Sequence, residues 1–210
     1  DAFDERKFIM IAVIDYGAGN IFSVKNALDY LGFESILTDK SEDLKNADAL
    51  ILPGVGAFPS AMKMLEKSGL IDTIMTQAKS KPFLGICLGM QLLFDKSYEF
   101  EECSGLGLIS GTVDKMEEDN LIIPHMGWNK LEMLNDCPLI HGLNDESYVY
   151  FVHSYKAKCE DKNISAYCNY GSRVPALVYD GSTVYGAQFH PEKSGETGLK
   201  ILKNFGGLIK

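Results

Sequence analysis

The sequence has too few positive charges for a protein whose main partner is nucleic acid or an anionic membrane surface. Its 210 residues include 20 Lys and Arg against 29 Asp and Glu, which gives a net charge of −9. It also has no apolar run as long as a membrane span. We therefore expect neither a nucleic-acid partner nor a membrane partner.

Paired cysteines are missing as well. The five cysteines are an odd number, and no two of them stand in a CxxC pair. Cysteines scattered in this way fit a reducing compartment and provide neither a disulfide framework nor a zinc site. The sequence thus predicts a cytoplasmic protein with no metal site and no cofactor.

The length and composition predict one domain. A chain of 210 residues with 46% hydrophobic residues can bury a sizeable core. Residues 1–9 are partly charged and precede a clean apolar strand, so we interpret them as an N-terminal extension or vector remnant. Residues 10–210 are then the domain.

Short apolar runs alternate with helical periodicity in the first half of the chain, which predicts an α/β fold with a mostly parallel sheet flanked by helices. The predicted strands and helices of this half are strands Ile9–Ile14, Phe33–Leu37, Ala49–Leu52 and Phe83–Ile86, and helices Ile21–Leu31, Pro59–Lys67, Leu70–Lys79 and Leu88–Phe94.

The second half has strand patterns joined by turns, which predict an antiparallel β extension. Its predicted strands are Leu106–Met116, Leu121–Leu134, Tyr148–Ala157 and Ser165–Tyr170. A last strand at Val184–Phe189 and a helix at Thr197–Leu208 complete the predicted fold.

A cysteine between two glycines marks the point where a predicted strand gives way to a predicted helix. The segment Gly85–Gly89 reads GICLG. G-x-C-x-G is the thiol counterpart of the G-x-S-x-G nucleophile elbow, whose tight turn exposes the nucleophile. Backbone N–H groups at the start of the helix, from Leu88, favour a thiolate and can face an oxyanion. Cys87 is therefore a candidate nucleophile, while a buried structural cysteine is the other interpretation.

A histidine and a carboxylate occur together in the segment Gln188–Gly195, QFHPEKSG. In an extended segment His190 and Glu192 point to the same face, and Pro191 keeps His190 extended. Glu192 can then accept a hydrogen bond from one imidazole nitrogen, which leaves the other for Cys87, as in a catalytic triad. A surface turn is the alternative for this segment alone. However, both motifs follow strands of one predicted parallel sheet, and such sheets gather catalytic groups at their carboxyl ends.

The segment Leu52–Phe58, LPGVGAF, also follows a predicted strand. Gly54 and Gly56 permit a backbone that presents N–H groups to an anion. We predict that Gly54 or Val55 supplies a second oxyanion donor beside Leu88. A plain strand–helix turn is the other interpretation.

The combination of GICLGMQ with HPE resembles the class I (triad-type) glutamine amidotransferases, which have a flavodoxin-like three-layer fold. The motifs DYGAGN, PGVGAF, CLGMQLLF, PHMGWN, YFVHSY and QFHPEKSG stand in the order seen in glutaminase subunits of imidazole glycerol phosphate synthases. The resemblance implies that L-glutamine is hydrolysed to glutamate and ammonia through a cysteine thioester. It also implies a heterodimer with a cyclase subunit, which uses the ammonia to make imidazole glycerol phosphate and AICAR in histidine biosynthesis.

The resemblance implies roles for individual residues as well. Cys87 is the nucleophile, His190 the base and Glu192 its orienting group, while Val55 and Leu88 belong to the oxyanion region. The implied substrate-binding positions are Gly54, Gln91, Glu99, His153, Ser154 and Tyr155. A carboxylate such as Glu99 suits the ammonium group of a free amino acid, although an ordinary solvated acid is its alternative.

The resemblance places the segment PHMGWN beside the glutaminase site, facing the partner. Its predicted interface residues are His125, Met126, Trp128 and Asn129. The other interpretation puts Trp128, the lone tryptophan, in the core. Family members often have a basic residue shortly before this segment, where this chain has two isoleucines, Ile122 and Ile123.

That departure keeps open a related amidotransferase of a surface-sugar pathway. A cysteine hydrolase with another substrate and a non-catalytic binding subunit are two further alternatives. Gln91 and Glu99 speak against the hydrolase, and the complete set of Cys87, His190 and Glu192 speaks against the binding subunit.

Overall fold

The computed structural model describes residues 9–117, 121–144 and 146–209. The predicted extension therefore lies outside the described residues, apart from Ile9, which packs against the core. The first half contains strands β1 (Met10–Ile14), β2 (Glu34–Thr38), β3 (Ala49–Gly54) and β4 (Phe83–Cys87), and helices α1 (Ile21–Tyr30), α2 (Ser41–Asn46), α3 (Phe58–Ser68), α4 (Ile71–Gln77) and α5 (Leu88–Gln91).

The second half is richer in strands. Its elements are β5 (Phe94–Ser97), β6 (Cys103–Ser104), β7 (Ile109–Lys115), β8 (His125–Lys130), β9 (Glu132–Met133), β10 (Tyr148–His153), β11 (Tyr155–Lys158), β12 (Ile164–Tyr170), β13 (Ser172–Tyr179), β14 (Val184–Ala187) and α6 (Gly195–Gly206). None of the helices in the described ranges is long and apolar enough to cross a membrane.

A large mixed sheet forms the middle layer, with the strand order β2-β1-β3-β4-β14-β13-β12-β9. Strands β1 to β4 and β14 are parallel, and β13, β12 and β9 continue the sheet antiparallel. Every residue of β3, β4 and β14 is buried, as expected for strands covered on both faces. The predicted three-layer α/β fold is confirmed.

The two faces of the sheet carry separate apolar clusters. In β1, Ile11 and Val13 point to the cluster that includes α1 and α6, whereas Ala12 and Ile14 point to the cluster that includes α3 and α4. This alternation is the period of two that a strand imposes on its side chains. The carboxyl ends of β4 and β14 are neighbours in the middle of the sheet, where they bring Cys87 close to the segment that follows Ala187.

The strands predicted for the antiparallel extension are divided among three sheets, since β9 and β12 belong to the large sheet and β7, β8, β10 and β11 to two smaller ones. The predicted strand Tyr148–Ala157 is interrupted at Ser154, so that β10 pairs with β8 while β11 pairs with β7 in a sheet of order β11-β7-β5-β6. The break lets one continuous segment cross from one sheet to the other.

The predicted helix Leu88–Phe94 was wrong beyond Gln91. After one turn the chain bends and enters β5 at Phe94. The carbonyl oxygens of Leu92 and Leu93 accept hydrogen bonds from residues 106, 108 and 109 instead of from a next helical turn. Tertiary pairing therefore overrides an apolar run that local periodicity favoured as a helix.

Candidate active site

Cys87 sits on a strained turn between β4 and α5. Its φ of 54° and ψ of −111° are rare for a residue with a side chain. The flanking glycines are required sterically, because a Cβ on Gly85 would lie 2.5 Å from the carbonyl oxygen of Gly89. A Cβ on Gly89 would lie only 1.8 Å from the carbonyl oxygen of Leu52. The sequence thus fits a nucleophile elbow and not a packing cysteine.

The helix after the elbow is shorter than the sequence suggested. Because α5 has only four residues, the electrostatic contribution that we expected from a helix is limited to one turn. Leu88 lines the cleft beside Cys87, and so does Val55 from the loop after β3. Gly54 is paired in register with Cys87 on the adjacent strand but does not itself line the cleft.

His190 and Glu192 form a buried hydrogen-bonded pair. His190 Nδ1 lies 2.8 Å from Glu192 Oε1, and their side chains are almost fully buried. His190 is extended, as its neighbour Pro191 predicts, but Glu192 lies in a 3₁₀ turn at Pro191–Lys193. The predicted pairing therefore arises from a turn and not from an extended segment.

The surroundings of His190 favour its charged form. Burial by itself would lower the pKa of His190, but hydrogen bonds with Cys87 and Glu192 raise this pKa to about 9. The thiol sulfur of Cys87 lies 3.9 Å from the carbonyl oxygen of Val152. A thiol, an imidazole and a carboxylate thus follow one another in the order that a nucleophile, a base and an orienting group require.

A cleft of about 600 Å³ opens in front of Cys87. It is lined by residues from the large sheet, from both smaller sheets and from the segment before β8. The lining residues are Val55, Gly56, Cys87, Leu88, Gln91, Glu99, Phe100, Lys115, Ile123, Pro124, Val152, His153, Ser154, Tyr155 and His190. Of the predicted catalytic, substrate and oxyanion positions, only Gly54 and Glu192 are missing from this lining.

Side chains of opposite charge, Glu99 and Lys115, line the cleft. Glu99 is buried and accepts a hydrogen bond of 2.7 Å from the backbone N–H of Phe58, and burial raises the pKa of its carboxyl group. Lys115, the residue opposite Tyr155 in the β7–β11 pair, contributes a positive charge. A zwitterionic amino acid needs such a carboxylate and such a cation. Lys115 was not predicted, because nothing in the sequence separates it from other surface lysines.

Gln91 is held by two acceptors. Its Nε2 lies 3.1 Å from the carbonyl oxygen of Tyr155 and 3.0 Å from Oε1 of Gln188. Gln188 is fully buried, and its Nε2 lies 4.0 Å from the sulfur of Cys87. Gln188 was not predicted as a site residue, although its place two residues before His190 is a signal that could have indicated it.

His153, which lines the cleft, forms a buried pair with His125. Its Nδ1 donates to the carbonyl oxygen of Tyr155 at 2.8 Å, and its Nε2 lies 3.0 Å from Nδ1 of His125. Burial lowers the pKa of His153 to about 3, so this ring is neutral at any physiological pH. His153 therefore supports the Tyr155 backbone and offers no charge to a ligand.

The predicted interface residues divide between the two faces of β8. Met126 and Trp128 are 61% and 55% exposed, which excludes a core position for Trp128. His125 is fully buried, stacked on Phe151 with ring centroids 4.8 Å apart, so its predicted contact with a partner does not fit its position. Asn129 is half-buried, and its Oδ1 lies 2.7 Å from Nε2 of His125.

Ile122, three residues before β8, is 80% exposed. We call Ile122, Met126 and Trp128 the apolar patch. Within the part of the chain that the structure describes, no three His, Cys, Asp or Glu side chains are grouped so as to hold a metal ion.

Comparison with known proteins gives one consistent result. The family model "Glutamine amidotransferase class-I" matches residues 12–207. The protein named imidazole glycerol phosphate synthase subunit HisH of Bacillus cereus (strain G9842) is 52% identical over 202 residues, which cover 96% of each chain. The protein of the same name from Bacillus thuringiensis (strain Al Hakam) is 50% identical over the same shares.

Solved structures agree in fold. The structure of PurLQS from Thermotoga maritima superposes with a TM-score of 0.75 at 22% identity, covering 96% of this chain and 99% of that chain. A glutamine amidotransferase from Thermotoga maritima gives a TM-score of 0.61 at 17% identity, covering 90% and 79%. Similarity at these identities concerns the fold alone.

Proposed function

Because this chain belongs to the class I glutamine amidotransferases, we propose that it is the glutaminase subunit of an imidazole glycerol phosphate synthase in histidine biosynthesis. The identity of 52% over nearly the whole length of a relative with that name supports the specific subunit. The observation that best supports glutamine hydrolysis is the arrangement of three side chains in the cleft. Cys87 stands on a strained elbow in a cleft where the buried His190–Glu192 pair provides a base.

The reaction begins at the sulfur of Cys87. Its thiolate attacks the side-chain amide carbon of L-glutamine, and backbone N–H groups at Val55 and Leu88 face the resulting oxyanion. His190, charged and held by Glu192, donates its proton to the amide nitrogen as the C–N bond breaks. Ammonia leaves, and the glutamyl group remains on Cys87 as a thioester.

Water completes the cycle. Neutral His190 takes a proton from a water molecule, which attacks the thioester carbon. The C–S bond breaks, glutamate leaves, and the proton on His190 restores the starting pair with Cys87. Glu192 touches neither substrate nor water, and its contribution is to fix the tautomer of His190 through the 2.8 Å hydrogen bond.

The charged side chains of the cleft recognise a free amino acid. Glu99 accepts the α-ammonium group, Lys115 faces the α-carboxylate, and Gln91, Ser154 and Tyr155 lie along the substrate. Such a pair of charges discriminates against an internal glutamine of a peptide, which has neither charged group. This favours a glutaminase over a peptidase that uses the same Cys–His pair.

The ammonia passes to a separate cyclase subunit, which makes imidazole glycerol phosphate and AICAR. Ammonia released into neutral water would become protonated and lose its nucleophilicity, so direct transfer within a heterodimer is the economical arrangement. The apolar patch lies on β8 and just before it, close to Ile123 and Pro124 of the cleft wall, and suits the partner-facing rim. We place the complex in the cytoplasm.

Labelling with an electrophilic glutamine analogue tests the reaction. We expect the analogue to modify Cys87 and to spare the other four cysteines, which peptide mapping after labelling would establish. Burial raises the pKa of each of these other thiols, to about 11 for Cys159 and about 12 for Cys168. A modification spread evenly over the cysteines would contradict the proposal.

A further inference from the structure

The carbonyl oxygen of Tyr155 determines how the amide of Gln91 is oriented. A backbone carbonyl can only accept, so the atom of Gln91 that lies 3.1 Å away must be its nitrogen. The same nitrogen lies 3.0 Å from the side chain of Gln188. Both N–H groups of Gln91 are therefore used, and its oxygen remains for the cleft that Gln91 lines.

This orientation determines the next amide in turn. Gln188 must face the nitrogen of Gln91 with its oxygen, so its own nitrogen is the end near Cys87, 4.0 Å from the sulfur. The side chain of Gln188 is fully buried and cannot turn to solvent. The polarity of both amides thus follows from one backbone carbonyl and leaves no freedom for a flip.

Two titratable side chains, His190 and Tyr16, lie near the sulfur of Cys87 and interact with its charge. Its two remaining polar neighbours each suit a different protonation state. A thiol can direct its S–H at the carbonyl oxygen of Val152, 3.9 Å away, whereas a thiolate cannot donate to it. An anionic sulfur instead attracts the N–H of Gln188, and hydrogen bonds to charged groups are stronger than those to neutral groups. The fixed N–H dipole of Gln188 therefore favours the reactive form of Cys87.

We propose that Gln188 is a positioning residue that directs an N–H at the Cys87 sulfur and turns the oxygen of Gln91 towards the substrate. It acts through these two neighbours, because it is not among the residues that line the cleft. The consequence for L-glutamine rests on the proposed glutaminase function, whereas the effect on the sulfur does not.

Substituting Gln188 with glutamate separates the two ends of the amide. In Gln188→Glu one oxygen still accepts from Gln91, but the other end becomes an anionic oxygen that faces the sulfur. We expect iodoacetamide to alkylate Cys87 at least about tenfold more slowly at neutral pH, with the midpoint of its pH profile moved to higher pH. Gln77→Glu adds the same charge at the end of α4 and should leave the rate and midpoint unchanged.

A second variant removes the hydrogen-bonding groups without adding charge. In Gln188→Met, Gln91 keeps Tyr155 as an acceptor but loses the other, so we expect a several-fold higher KM for glutamine together with slower alkylation of Cys87. Combining Gln188→Met with Gln91→Met should raise KM no further than Gln91→Met alone, because the effect on substrate passes through Gln91. A purely structural role would lower the melting temperature without this pattern.

The results distinguish failure of this inference from failure of the proposed function. Alkylation needs no glutamine, so it reports on Gln188 even if the wild-type protein hydrolyses no glutamine. An alkylation profile of folded Gln188→Glu identical to that of the wild type would overturn the inference. If that variant does not fold, unchanged alkylation and unchanged KM in Gln188→Met overturn it.

Discussion

His190 is the residue whose charge the surrounding structure changes most clearly. Its pKa of about 9 lies above the ordinary value of 6.5, so the folded protein binds a proton more tightly than the unfolded chain does. The resulting stabilisation is fully present below about pH 6.5 and is lost as the pH rises towards about 9. The charged imidazole is therefore a pH-dependent part of both the reaction and the fold.

Removing Cys87 should make His190 easier to deprotonate. In Cys87→Ala one of the two hydrogen bonds that raise the pKa is gone, so we expect His190 to titrate at lower pH than in the wild type, as followed by NMR of its ring protons. The decline of the unfolding free energy between pH 6.5 and 9 should also become shallower. A Cys103→Ala variant is the matched control, and equal titration of His190 in all three proteins would contradict the assignment.

Gly89 is a residue at which a single methyl group should be decisive. A Cβ there would lie 1.8 Å from the backbone oxygen of Leu52, so Gly89→Ala must displace β3 or the elbow. We expect a loss of about 3 kcal/mol or more of unfolding free energy in chemical denaturation. Gly207→Ala, whose Cβ would approach no atom closer than 3.3 Å at a helical φ of −69°, is the control and should differ little from the wild type. Similar losses in the two variants would show that the elbow is not tightly packed.

At the scale of single elements, the sequence predicted the strands that carry the candidate triad. Strands that are buried on both faces, such as β1 and β4, can be predicted because they are continuous apolar runs in the sequence. The helix expected after Cys87 ends early because Phe94–Ser97 pairs as a strand with β7, which lies farther along the chain. Strand β13 and the short helix α2 were not predicted at all. Elements of this kind depend on distant partners more than on local pattern.

In the candidate site too, features that depend on the pairing of distant strands, such as β8 with β10, could not be predicted from local pattern. The motifs that contain Cys87, His190 and Glu192 are local and could be read from sequence, whereas the roles of Gln188 and Lys115 depend on which strands become neighbours. The exposure of Trp128 and the burial of His125 follow from the register of β8 with β10, which sequence alone left open.

The exposed position of Trp128 leads to a prediction about binding. Its ring meets that of Tyr150 at a centroid distance of 5.9 Å, and more than half of the side chain is open to solvent. We expect Trp128→Ala to weaken binding of the cyclase subunit by about 2 kcal/mol or more. The free energy of unfolding of the isolated subunit should change by about 1 kcal/mol or less. Titration calorimetry and thermal melting measure the two effects.

Tyr30→Ala is the control for this experiment. Tyr30 is 78% exposed at the end of α1, which runs back from the edge of the sheet where Cys87 lies. Its substitution should leave affinity for the cyclase subunit unchanged. If Trp128→Ala and Tyr30→Ala bind the cyclase subunit equally well, Trp128 does not contribute to the interface.

For the whole molecule, the proposed function assigns the acceptor chemistry to a separate cyclase subunit. We expect Cys87→Ala, assembled with the cyclase subunit, to lose glutamine-dependent synthesis. It should retain synthesis from ammonium salts at high pH, where free ammonia is available. Measuring both activities on the same complex tests this division, and an equal loss of both would mean that this chain does more than supply ammonia.

The hydrogen bonds around Cys87 connect parts of the chain that are far apart in sequence. Gln91 and Gln188 are 97 residues apart, and Cys87 and Gln188 are 101 apart. Contacts that close such long loops carry a large entropic penalty and slow the folding of parallel sheets. A refolding chain can form β3 and β4 while β14 has not yet docked, and Cys87 then lacks both Gln188 and His190. Its selective reactivity with a glutamine analogue therefore develops only when β14 inserts, so labelling of this thiol during refolding reports the docking of β14.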